Sequence, residues 1–283
     1  MDYVDMEPNK TVKILIPTDF RVQSEYAYYL TRNLFDGISH EIHFVHVLEV
    51  PDTVYEDANG NIQTCGEIDP GFVIRQKEMA LKKLDELSKN FQNTKTHLIL
   101  GKVTDGILRY VSENIMDVLA MGTKGAFGIK EAISGSETQM IVRKSEIPVI
   151  TLKCDRSDLK LRNTLFIHDF SKVSKEDLWL LKLLTEKSKA AIHFLHISKK
   201  EDNVESIRQN MKMFAELNGI SLFQPHILSG DDIEKSVIDY DFKYNPDLVF
   251  IGTHGKGGIW HSSVTEKLVN HLFKPIVSFR LKN

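Results

Sequence analysis

Gly122, Gly125, Gly135 and Ser136 are the residues of this chain whose types and spacing most readily do chemistry. The first follows an apolar run, Val118 to Met121, too short for a helix but long enough for a buried parallel strand, so the glycines leave the carboxyl end of a strand. Glycine tolerates positive φ and lets backbone N–H groups crowd around a ligand with no Cβ in the way. Three at fixed spacing describe a loop built for close approach. Ser136 is expected to open an amphipathic helix with Met140 and Ile141 on its inner side, and a helix N-terminus there adds unpaired donors and roughly half a positive charge. Such donors suit an anion, above all a phosphate. Asp19 stands just past an apolar strand, Val12 to Ile16, behind Pro17 and Thr18. Its carboxylate can accept hydrogen bonds from a base or ribose, and equally well serve as a turn aspartate.

The spacing G-x2-G-x9-G-S resembles the nucleotide-binding signature of the universal stress protein family, in its ATP-binding branch, and the likeness runs along nearly the whole chain, twice. The resemblance implies an α/β protein of two tandem Rossmann-like domains of the adenine nucleotide α-hydrolase type, each a five-stranded parallel sheet with helices on both faces. It also implies ATP, with Mg²⁺, as the bound nucleotide. In members similar to this one an aspartate after the first strand and a valine ending the second contact adenine and ribose, which points to Asp19 and Val47. Gly122, Gly125, Gly135 and Ser136 match the residues that hold ribose and phosphates, and Pro17, Thr18 and Met121 complete the expected site.

The elements that must position these residues occur twice. Ile14 to Phe20 returns as Thr164 to Phe170, and Ile42 to Val47 as Ile192 to Ile197, both 150 positions later. Asp117 to Gly125 returns as Asp247 to Gly255 at a spacing of 130, and Pro148-Val149-Ile150 as Pro275-Ile276-Val277 at 127. The first copy therefore carries about twenty extra residues, placed at Pro51 to Gly71 as a loop or flap because of its Pro, Asn-Gly and Asp punctuation. The second has lost three residues from the glycine loop, where Ser262 replaces the third glycine and Ser263 the serine. These copies are expected as domains 1–154 and 155–283, joined by a charged linker from Cys154 to Lys160.

Each copy reads β-α-β-α-β-α-β-α-β. In the first, Ser24 is expected to cap a helix carrying Ala27, Leu30 and Leu34; a second strand spans Ile42 to Leu48; Ala80, Leu84, Leu87 and Phe91 line another helix before a strand His97 to Leu100. A third helix carries Ile107, Leu108 and Val111. In the second, Val204, Ile207, Met211 and Phe214 share a helical face. Alternation of this kind implies right-handed crossovers, a parallel sheet, and a ligand beyond the carboxyl ends of the strands where their order reverses. The strands ending at Asp19 and Gly122 should be neighbours. The last strands, Pro148 to Leu152 and Pro275 to Phe279, are apolar and would be exposed edges, so they are expected to pair across a local two-fold axis as an intramolecular pseudo-dimer. Homodimerisation of the whole chain is left open.

A net charge of −3 without a basic block argues against nucleic acid or an anionic membrane as partner, and Met1 to Lys10 is too acidic for a signal peptide, so a cytoplasmic protein is expected. Cys65 and Cys154 have no metal-ligand spacing, and His43 and His46, three apart on a strand, point to opposite faces, so no metal site is assigned. No nucleophile and base stand near the glycines, and Lys124 does not follow a Walker arrangement, so no catalytic residue is assigned. The expected function is an ATP-binding stress-response regulator with its nucleotide in the first copy. Two alternatives stand beside it: a scaffold that binds protein partners without nucleotide, and an ATP-using enzyme of the wider α-hydrolase group.

Overall fold

The computed structural model describes residues 10–65, 68–123, 133–199, 201–253, 268 and 271–281. The first half runs β1 (Val12–Pro17), α1 (Val22–Leu34), β2 (His40–Glu49), β3 (Val54–Glu56), β4 (Ile62–Thr64), α2 (Pro70–Asn90), β5 (Thr94–Gly101), α3 (Val103–Glu113), β6 (Val118–Gly122), α4 (Ile133–Lys144) and β7 (Val149–Leu152). The second runs β8 (Asn163–Ile167), α5 (Trp179–Ser188), β9 (Ala191–Ser198), α6 (Val204–Leu217), β10 (Gln224–Ser229), α7 (Ile233–Tyr244), β11 (Leu248–Thr253) and β12 (Ile276–Arg280).

Ten of these strands form one sheet in the order β10-β9-β8-β11-β12-β7-β6-β1-β2-β5. Within each half every pairing is parallel, and β1 lies between β2 and β6, so the strand order reverses where Asp19 and Gly122 emerge. The halves meet at an antiparallel pair, β7 with β12, in which Ile150 faces Val277, its own counterpart in the repeat. A local two-fold axis passes through that pair, and neither strand is left as an open edge.

Strand alternation sends Ile14, Ile16, Ala120 and Ile150 to one face, where they pack with Leu30, Phe166, Leu181 and Val277 in a core continuous across the junction. The opposite face is divided: Leu15, Val45 and Leu119 pack under α3 and α4, while Leu165, Ile167 and Val249 pack under α7. The linker is held down as well, since Asn33 donates to the Ser157 and Leu159 carbonyls, both at 2.8 Å.

Several local expectations change. The insertion carries a β3–β4 hairpin over residues 54–64, seated by Val54 and Ile62 on Val50 and Val73, with the Asp57 carboxylate accepting the Asn59 and Asn61 N–H groups at its tip. Ser24 lies inside the first turn of α1 and Arg21 takes the cap position, because the chain turns sharply at Phe20. Val204, at the open start of α6, is exposed. In the second half, 171–178 stay irregular and the first helix waits until Trp179, whereas α1 starts five residues after β1 ends. Among the described residues no helix is long and apolar enough to cross a membrane.

Candidate functional site

At the reversal point the carboxyl ends of β1, β2 and β6 open into a cleft roofed by α3 and α4, enclosing about 820 Å³ including space open to solvent. Its depth is apolar, made by Val47, Ile107, Met121 and Ile141, and its rim is polar, made by Thr18, Asp19, Thr123, Glu137 and Thr138. Helix α3 reaches β2 because Gly106 has no side chain: a Cβ there would lie 3.2 Å from the Val47 side chain.

The turn that presents Asp19 is built from hydroxyl groups. The Phe20 N–H donates to Thr18 Oγ1 at 2.9 Å, the Thr18 hydroxyl donates to Ser24 Oγ at 2.9 Å, and the Ser24 hydroxyl donates to the Arg21 carbonyl at 2.8 Å. These bonds hold Phe20 at a φ of 64°, a left-handed conformation costly for a bulky residue and repaid by its ring lying 4.3 Å from that of His46. His46 Nδ1–H donates to the Thr18 carbonyl at 2.8 Å, and burial keeps the imidazole below its usual pKa. Asp19 accepts the Arg21 N–H at 3.1 Å, a turn bond, while its side chain stays 60% exposed at the rim. Glu137 faces the same rim; burial first, then the Glu49 and Asp19 carboxylates, push its pKa up.

Of the residues singled out from sequence, Pro17, Thr18, Asp19, Val47, Met121 and Gly122 line this one cleft. Gly135 and Ser136 fall at the third and fourth positions of α4, whose helix starts three residues before Ser136, so the Gly135 N–H is among those a helix start leaves without an intrahelical partner, while the Ser136 N–H is the first that can join the helical ladder. Gly125 lies outside the described residues, as do Lys124 and Lys130. Gly122 has a steric reason of its own. A Cβ on it would lie 1.9 Å from the Gln23 carbonyl oxygen, so what approaches this glycine is the first turn of α1. Sequence reasoning missed Val103 and Ile107, which follow no motif, and Glu137 and Thr138, whose only signal is their place directly after Ser136. His46, weighed there as a metal ligand and set aside, packs its ring on Phe20 and fixes the Thr18 carbonyl.

The model of the universal stress protein family matches residues 11–153, half of the chain. The chain belongs to the universal stress protein family. Two universal stress proteins of Methanocaldococcus jannaschii, MJ0531 and MJ0577, are each 24% identical over 142 and 152 residues, covering 50% of this chain and 81% and 94% of their own lengths. The crystal structure of a universal stress protein from Archaeoglobus fulgidus superposes over 95% of this chain and 98% of its own with a TM-score of 0.69 at 20% identity, so the tandem fold is shared end to end.

In this universal stress protein the second half uses the equivalent residues differently. Asp169, the counterpart of Asp19, is drawn inward to 10% side-chain exposure, with Oδ1 3.7 Å from His196 Nδ1. His196 accepts the Phe170 N–H on Nδ1, whereas His46 donates from that atom, so the two histidines carry opposite tautomers. His168 stands where Thr18 stands in the first half. It is buried among Phe166, Phe170 and Phe214, with burial holding its pKa down at about 4. At Gly252 an added Cβ would meet the Leu281 side chain at 2.6 Å, not helix backbone. Gly255, Ser262 and Ser263 lie outside the described residues.

Proposed function

We propose that this tandem universal stress protein is a cytoplasmic stress-response regulator that binds one adenine nucleotide, ATP, in its first half. The observation that supports this most is the composition of the cleft: an apolar slot at Val47, Met121 and Ile141 deep enough for a base, and a polar rim where ribose and phosphates would lie. In this reading Asp19 accepts hydrogen bonds from base or ribose. Pro17 and Thr18 shape the turn that carries it, Gly122 lets the first turn of α1 close against β6, and Gly125 keeps the path to the phosphates free of side chains. Gly135, with its unpaired N–H, and Ser136 stand at the positive end of α4 and meet the phosphates. Mg²⁺ bound with the triphosphate would offset the charge of Asp19 and Glu137, which already repel each other at the rim. No residue is assigned to catalysis. The two repeats are taken as domains 1–154 and 155–283, the second mainly architectural, with the β7–β12 junction making them a pseudo-dimer.

The direct test is acid denaturation of freshly purified protein followed by chromatography of the released nucleotides, with calorimetric titration of nucleotide-free protein. ATP, released or bound at up to one per chain, is the expected result. Absence of any adenine nucleotide, together with no binding at millimolar ATP, would leave the scaffold reading in its place.

A further inference from the structure

The two-fold axis at the junction makes a comparison of its two ends possible. Arg280, just past the pairing on β12, reaches Glu146 of the first half at 3.3 Å. The counterparts of those residues, at the same spacing of 127 that relates Pro148 to Pro275, are Lys153 and Phe273. Symmetry therefore asks for an ion pair, and the structure puts a lysine over a phenyl ring: Lys153 Nζ sits 5.1 Å from the Phe273 ring centroid, is buried, and has no hydrogen-bond partner among the described residues. The Phe273 carbonyl accepts a hydrogen bond from Arg156 Nη2 at 2.9 Å, and the half-exposed ring covers the amine.

We propose that Lys153 is a covalent modification site, acylated on Nζ by small activated acyl donors of the acyl-phosphate or acyl-thioester class. A buried ammonium without a counter-charge is costly, and the first way a protein relieves that cost is to lose the proton. Burial pulls the Lys153 pKa down to about 8, opposed among the described residues only by the charge of the neighbouring Cys154. At pH 7.5 roughly a quarter of such amines are neutral, against on the order of 0.1% for an ordinary lysine. The neutral nitrogen attacks the carbonyl carbon of the donor and a C–N bond forms as the C–O or C–S bond to phosphate or thiol breaks. The leaving group departs with its electron pair and the nitrogen's extra proton passes to solvent. The product is an uncharged amide against Phe273, so the modification also removes the unpaired charge from the junction.

The test uses the full chain incubated with acetyl phosphate at pH 7.5, with site-by-site acetylation followed by mass spectrometry of peptides. Lys153 is expected to react at least about ten-fold faster than the exposed Lys199 and Lys212, an advantage that shrinks toward pH 10 as those lysines lose their protons. Phe273→Glu supplies the missing mirror-image carboxylate; with the circular dichroism spectrum unchanged, it should slow Lys153 acetylation by about ten-fold. A parallel arm with acetyl-coenzyme A separates the donors, since labelling by one alone assigns the class. The proposal is overturned if Lys153 reacts no faster than Lys199 and Lys212 with either donor, or if folded Phe273→Glu reacts at the wild-type rate.

Discussion

Asp19 and Asp169 hold the same place in the repeat and meet opposite surroundings, one exposed at the rim of a cleft and the other folded against a buried histidine. Sequence alone could match the two residues but not tell them apart, because the difference is made by Thr18 against His168, a hydroxyl that builds a turn against an imidazole that fills a core. Asp19→Ala is expected to weaken ATP about ten-fold in calorimetry, the low end for a hydrogen bond to a charged group because the carboxylate is well solvated, and Asp169→Ala to leave the affinity unchanged. Equal losses would contradict the assignment. Glu137, a carboxylate already crowded by Glu49 and Asp19, should oppose the phosphates, so Glu137→Gln is expected to tighten ATP binding measured in EDTA; weaker binding there would move the phosphates away from α4. His168 gives a stability signature. Its folded pKa of about 4 lies below the unfolded value, so the unfolded chain takes up a proton that the folded chain refuses. Stability is full above about pH 6.5 and falls as pH drops toward 4, by about 3 kcal/mol from this group. Urea titrations at pH 7 and pH 4.5 should show most of that loss, about 2 kcal/mol, and His168→Phe, which suits the surrounding rings, should reduce it.

At the scale of elements, the strands were legible because a parallel sheet covered on both faces writes itself as short apolar runs, and Val12 to Ile16 or Val118 to Met121 cannot be read as helices. The β3–β4 hairpin was not, since its strands are three residues long and each buries a single apolar side chain, Val54 or Ile62, too little for a period to show. The late start of α5 was equally hidden: 171–178 differ from the start of α1 in no local signal strong enough to stop a helix. The cleft was legible where it lies on strand ends and illegible where α3 supplies Val103 and Ile107, because helix-to-strand packing sets that contact. Gly122 lies between these cases, its type readable and its reason not. Substitution tests the reason. Gly122→Ala drives a Cβ into the rigid backbone of α1 and is expected to cost about 3 kcal/mol, the upper end for overpacking. Gly252→Ala only displaces the Leu281 side chain, which can rotate away, and should cost about 1 kcal/mol or less. Thermal unfolding of the two variants side by side decides it, and equal destabilisation would mean that α1 yields as easily as a leucine.

For the whole molecule the question is why a chain built from two repeats should carry one ligand. The junction is close to symmetric, with Ile150 against Val277 on the axis and one face of the sheet packed continuously across it, so the second half is a structural partner that closes the exposed edge of the first. Such a partner must keep its strands but is free to lose its site. The residues that would form that second site are placed otherwise: Asp169 turned inward beside His196, His168 among phenyl rings, Gly252 beneath Leu281. The sequence adds that the second glycine loop is three residues shorter, which removes about 10 Å of extended chain, comparable to the length of a triphosphate. Calorimetry should therefore give one ATP per chain. Gly125→Val, which puts a β-branched side chain where the first loop must approach phosphates, should abolish binding, and Gly255→Val should leave the stoichiometry at one. Two equivalent sites in the titration, or normal binding by Gly125→Val, would show that the inward turn of Asp169 is reversible and that the second half opens to its own nucleotide.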